Sequence, residues 1–204
     1  MFDLIIQIIT VTGVLGVLIL MFAENIFPPI PSELIMPLAG FAAARGDMNF
    51  FLAVTAGTLG AAAGAAIWYE LGRRIGADRL SAWSSRHGRW LTLTPKDIDR
   101  STRFFQRFGA PAVFFGRLLP IVRTWISIPA GVADMRPAPF LGWTLLGTAI
   151  FTFALTAAGY ALESQYERVA SWLDPITTFL LVAGVVTWIW RVIVFPRQQA
   201  NRND

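Results

Sequence analysis

Apolar residues dominate the chain in long unbroken runs. Residues 4–22, 49–71, 139–161 and 175–195 each hold few or no charged side chains over roughly the 20 positions that a helix needs to cross a bilayer. They predict four transmembrane helices. Two further apolar runs, 24–44 and 110–133, are interrupted. The first carries Glu24 and Glu33 with Pro28, Pro29, Pro31 and Pro37; the second carries Arg117 and Arg123 with Pro120 and Pro129. Proline inside a helix removes a hydrogen bond and clashes with the preceding turn. Irregular backbone at membrane depth is tolerated only where it is buried in protein or lines a wet cavity. Both runs are therefore expected to be re-entrant hairpins, shaped by Pro28, Pro29, Pro31, Pro120, Pro129 and Gly131.

The polar stretches complete the plan of an all-α integral membrane protein forming one membrane domain over 1–204. The start is not expected to be a cleaved signal, because residues 1–3 carry Asp3 and no basic residue, and the apolar run to Phe22 is too long. Residues 72–109 form a basic region. Within it Thr94 caps a helix over 95–108, with Pro95 at its first position. Ile98, Thr102, Phe105 and Phe108 share one face of that helix, Arg100, Arg103 and Arg107 lie off it, and Gly109 and Pro111 end it. Such a helix is expected to lie on the membrane surface. In 49–71, Gly60 and Gly64 form a small-residue pair that permits close helix contact, within the chain or in a homodimer.

Composition agrees and charge sets the topology. Hydrophobic residues make up 55% of the chain and charged residues 15%, against about 25% in soluble domains. The absence of cysteine excludes disulfides and thiol chemistry, and a single histidine, His87, excludes multi-histidine metal sites. No cofactor or metal is expected, and the basic balance of +4 is no reason to invoke nucleic acid. Region 72–109 holds nine Arg and Lys against three acids, a net of +6, whereas 162–174 has a net of −2. The basic region and the tail 196–204, with Arg197 and Arg202, belong in the cytoplasm. They reach the same side only if 110–133 enters and returns. By analogy 24–44 re-enters from the opposite face, which puts both termini in the cytoplasm.

A weak internal repeat runs at an offset of 91 residues. Pro29 and Ile30 map to Pro120 and Ile121, Ala39-Gly40 to Ala130-Gly131, and Tyr69 and Leu71 to Tyr160 and Leu162. Each unit is a proline-broken segment followed by a span, and the two are oppositely oriented. Inverted repeats with broken helices are a transporter signature.

At Phe22-Ala-Glu24-Asn25, Pro28-Pro29-Ile-Pro31-Ser-Glu33 and Pro37-Leu-Ala-Gly40, and again at Gly116-Arg117-Leu-Leu-Pro120-Ile-Val-Arg123 and Pro129-Ala-Gly131, the chain resembles the DedA family. These are bacterial inner-membrane proteins related to eukaryotic SNARE-associated Golgi/VTT-domain proteins. The resemblance spans most of 20–162. It implies a translocase of a phosphate-headgroup lipid, with recycling of undecaprenyl phosphate linked to the proton gradient among the activities attributed to the family. By motif position its two important acids and two important arginines fall on Glu24, Glu33, Arg117 and Arg123. The second acid is often Asp, so Glu33 is a departure.

The residues themselves allow that chemistry. Guanidinium groups capture phosphate through forked, charge-assisted hydrogen bonds, and ionisable groups within a membrane mark functional paths. Arg117 and Arg123 are the expected headgroup ligands, and Glu24 and Glu33 the expected proton carriers. Pairing among these four charges is the structural alternative, and both can hold if phosphate displaces the carboxylates. The expected partners are a polyprenyl phosphate or phospholipid and protons. A phospholipid scramblase and a proton-coupled exporter of small cations or osmolytes remain as alternatives. A lipid phosphatase is disfavoured by the lone loop histidine, so the chain is not expected to be an enzyme. A purely structural membrane partner would not need the four charges.

Overall fold

A computed structural model describes residue 9 and residues 11–27, 32–91, 95–119 and 122–162. Pro28, Pro29, Pro31, Thr94, Pro120, the first residues of the 4–22 run, the acidic stretch, the fourth apolar run 175–195 and the tail lie outside the described residues. Those described are helical, with no strand among them. In chain order they form α1 (Val14–Ile26), α2 (Ser32–Ala44), α3 (Phe50–Leu91), α4 (Pro95–Leu118), α5 (Val122–Trp125), α6 (Ser127–Val132) and α7 (Pro137–Ala161). The Phe50–Ala82 part of α3 and the whole of α7 are long and apolar enough to cross a membrane, while α1 and α2 are apolar but shorter.

Helix limits follow local chemistry. The Asn49 side chain accepts a hydrogen bond from the Leu52 backbone at 3.1 Å and caps α3. Pro137 opens α7 at a position where a missing N–H costs nothing. The apolar run 49–71 continues as helix through the basic residues that follow it, bent at Gly76. The helix predicted at 95–108 does break at Gly109, whose φ of 54° suits glycine. It then resumes through Pro111 to Leu118. Ile98 and Phe105 are buried in the protein, while Phe108 is 50% exposed and packs on Phe104 at 4.9 Å. The first helix also runs past Phe22 to Ile26, so Glu24 closes α1 instead of opening the next segment. Its carboxylate is ion-paired inside the protein and has no need to reach water.

The two halves are docked across one another. α2 packs chiefly on α7, and α6 chiefly on α3. Glycines make both crossings possible. A Cβ on Gly40 would lie 2.0 Å from the Thr156 carbonyl oxygen, and one on Gly159 2.0 Å from that of Pro37. A Cβ on Gly131 would lie 2.0 Å from the Tyr69 carbonyl oxygen, and one on Gly72 2.4 Å from that of Ile128. In each crossing a glycine meets the carbonyl three residues before its partner glycine, so the register is the same twice. Gly131, expected to shape a hairpin, sits within α6 and serves this close approach. Gly60 and Gly64 are also used inside the chain, against the Leu18 and Phe22 carbonyls of α1. The tyrosines repeat the exchange. Tyr69 stacks on Phe140 at the start of α7 at 4.2 Å and donates to the Met135 carbonyl, and Tyr160 meets Phe50 at the start of α3 edge-on at 5.7 Å.

Candidate functional site

The interior between these crossings is charged. Glu24, in the last turn of α1, and Arg123, in α5, are 99 residues apart. Their side chains pair at 2.5 Å (Arg123 Nη2 to Glu24 Oε1) and are only 4% and 5% exposed. The same Nη2 donates to the Ser32 hydroxyl at the start of α2. Ser32 and Arg123 are 91 residues apart, the spacing of the internal repeat, so equivalent positions of the two halves meet here. The Arg123 guanidinium also lies over the Phe151 ring of α7, 4.8 Å from its centroid. Three helices thus hold the guanidinium of a fourth.

Arg117, at the end of α4, is 2% exposed. It donates to the Ser127 hydroxyl at 2.6 Å, and no described carboxylate lies within ion-pairing distance. It remains within electrostatic reach of both Arg123 and Glu24. Two buried guanidinium groups therefore face one buried carboxylate. Glu33 is half-buried in the first turn of α2, where its carboxylate accepts from Ser32 at 3.4 Å. It lies within electrostatic reach of Glu24 but forms no described ion pair with either arginine.

Several buried polar atoms have no hydrogen-bond partner among the described residues. They are Glu24 Oε2, both amide atoms of Asn25, the Nε atoms of Arg117 and Arg123, and the hydroxyls of Thr102 on α4 and of Thr144 and Thr148 on α7. A buried unpaired polar group costs about 1–3 kcal/mol, so those on Glu24, Arg117 and Arg123 mark a polar core able to receive a hydrogen-bonding ligand. Of the residues singled out from the sequence, Glu24, Arg117 and Arg123 come together and Glu33 stands beside them. Ser32, Ser127, Asn25 and the α7 threonines were not singled out. The offset of 91 pointed to Ser32 as the counterpart of Arg123; no comparable signal marked Ser127 or the threonines.

The VTT-domain family model matches residues 30–161, which takes in α2 to α7. The chain belongs to the VTT-domain (DedA) family. As a VTT-domain chain with apolar spanning helices it is a membrane protein. An "Alkaline phosphatase-like protein" of Lactococcus lactis subsp. lactis is 36% identical over 97% of this chain and 92% of its own. "Undecaprenyl phosphate transporter A" of Staphylococcus aureus is 31% identical over 94% of both chains. The Bacillus subtilis protein of the same name is 32% identical over 77% of both. No solved structure matches significantly.

Proposed function

We propose that this VTT-domain protein translocates a phosphate-headgroup lipid, with undecaprenyl phosphate as the leading cargo, across the bacterial inner membrane, coupled to protons. The observation that carries the reading is Arg117, a buried guanidinium held among the described residues by one serine hydroxyl and no carboxylate, beside an arginine whose carboxylate is already engaged. Burying an unpaired charge is expensive, and a phosphate anion balances it. The names of the staphylococcal and bacillar relatives favour the same cargo.

In this reading the headgroup enters between α2 and α5–α6, the described parts of two re-entrant hairpins that open to opposite faces. Four spans place both termini in the cytoplasm. Phosphate binds Arg117 and Arg123 and displaces Glu24, which leaves with a proton. Glu33, at the start of α2, relays that proton towards water. The polyprenyl chain stays in lipid, because a 204-residue protein has no room to enclose it.

Reconstitution into liposomes tests the reading. Headgroup translocation is expected from the wild-type protein, accelerated by a proton gradient, and lost in Arg123→Gln. No translocation under either condition refutes it. The name of the lactococcal relative calls for a second readout in the same vesicles. Release of inorganic phosphate would replace transport by hydrolysis.

A further inference from the structure

Asn25 is fully buried at the end of α1, and its amide nitrogen and oxygen both lack a partner among the described residues. Its backbone carbonyl is occupied, accepting from Trp68 Nε1 at 2.9 Å. The fold makes room for this side chain. A Cβ on Gly64 of α3 would lie 2.7 Å from Asn25 Cβ and 3.1 Å from the Phe22 carbonyl oxygen. The chain thus forgoes a side chain at 64 to admit an amide with no partner among the described residues, an arrangement that costs stability.

The second half contains the same arrangement. A Cβ on Gly147 of α7 would lie 2.8 Å from Arg117 Cβ and 3.1 Å from the Phe114 carbonyl oxygen. In each case the residue against the glycine is the last but one of its helix, α1 or α4, and the carbonyl lies three residues earlier. Asn25 therefore has the same place at the end of α1 that Arg117 has at the end of α4, 92 residues apart and so one residue off the offset of 91. It is also the chain neighbour of Glu24, the residue that holds Arg123.

We infer that Asn25 is a headgroup-binding residue, the first half's partner to Arg117, whose side-chain amide donates to a phosphate oxygen that Arg117 and Arg123 hold from the second half. An amide suits this place. It donates without adding a third buried positive charge, and so leaves the anion free to depart. The inference rests on the phosphate reading given above.

The test is binding of farnesyl phosphate to the full-length protein in detergent micelles, by isothermal titration, with a thermal melt of each ligand-free sample. Asn25→Leu keeps the branched shape and heavy-atom count of Asn and removes both polar atoms. It is expected to bind at least tenfold more weakly than wild type while melting at the same temperature or higher, because an unsatisfied buried amide has been replaced by an apolar group. Asn25→Ala, which cannot overpack, carries the same comparison if the leucine variant does not purify as a single species. Wild-type affinity in either folded variant overturns the inference, as does a lower melting temperature with unchanged affinity, which makes the amide structural. Arg123→Gln measured in parallel separates the two claims. If it loses binding and Asn25→Leu does not, the role of Asn25 falls and the phosphate reading stands. If wild-type protein does not bind farnesyl phosphate, both fall.

Discussion

The Glu24–Arg123 pair is the contact on which the two halves depend most directly, and its strength follows from its setting. Both side chains are almost fully buried and their charged atoms meet at 2.5 Å. At a charge separation of about 4 Å and an effective dielectric of about 20, the attraction is about 4 kcal/mol. Removing one partner leaves the other charge buried and uncompensated, which costs about 3–5 kcal/mol. Glu24→Gln belongs at the lower end, about 3 kcal/mol, because the Ser32 hydroxyl and the Phe151 ring still support Arg123. Arg123→Gln belongs near 5 kcal/mol, because Glu24 Oε2 already has no described partner. The double variant removes both charges and is expected to be no less stable than Arg123→Gln alone, which corresponds to a coupling energy of about 3 kcal/mol. The four proteins can be unfolded with sodium dodecyl sulfate from dodecyl maltoside micelles and followed by fluorescence of the eight tryptophans. Additive single changes, within about 0.5 kcal/mol, would refute the reasoning, since independent sites cannot be a paired buried charge.

Three further outcomes are expected. Gly40→Ala and Gly131→Ala should destabilise to a similar extent, by about 3 kcal/mol or more, because each new methyl meets a backbone carbonyl that cannot rotate away. Gly142→Ala, in an open helical position of α7, should stabilise by about 0.5–1 kcal/mol, and matching thermal melts of all three would contradict the crossing geometry. Gly109→Ala meets no neighbour but must adopt φ 54°, ψ −134°. It should cost about 1–3 kcal/mol and lower protection of residues 105–113 in hydrogen exchange. Asp134→Asn removes the 2.9 Å pair with Arg73, whose two side chains are 77% and 43% exposed, so less than about 1 kcal/mol is expected. A larger loss in the melt would mean that this contact is closed off from solvent.

Much of the framework was legible in the chain. A bilayer demands about 20 apolar residues per crossing, so the runs at 49–71 and 139–161 could be read directly, and both are helices of sufficient length. Gly109 and the proline-rich stretch at 110–133 marked backbone breaks because proline and glycine act locally, and the second run is indeed divided among the end of α4, α5 and α6. The offset of 91 was legible as a pattern. It acquired meaning only when Gly40 and Gly131 were seen at equivalent crossings.

The faces of the helices were not legible. In a soluble protein an apolar stripe points inward. In a membrane, lipid is as apolar as the core, so hydrophobicity does not say which side of a helix meets protein. That Ile98, Phe105 and Phe108 share one helical face could be read, but not that Ile98 and Phe105 are buried in the protein while Phe108 is exposed. Glu24, Glu33, Arg117 and Arg123 could be chosen from the sequence because charge within an apolar run has no local explanation. Their partners could not be chosen, because α1 and α5 meet through tertiary packing alone. The sequence by itself thus determined the spanning elements, the breaks and the charged residues. Only the tertiary structure decided that Arg123 takes Glu24 and Ser32, that Arg117 takes Ser127 among the described residues, and that Asn25 and Arg117 each end a helix against a glycine. Those facts depend on close helix crossings between distant parts of the chain, which no local pattern of residues encodes.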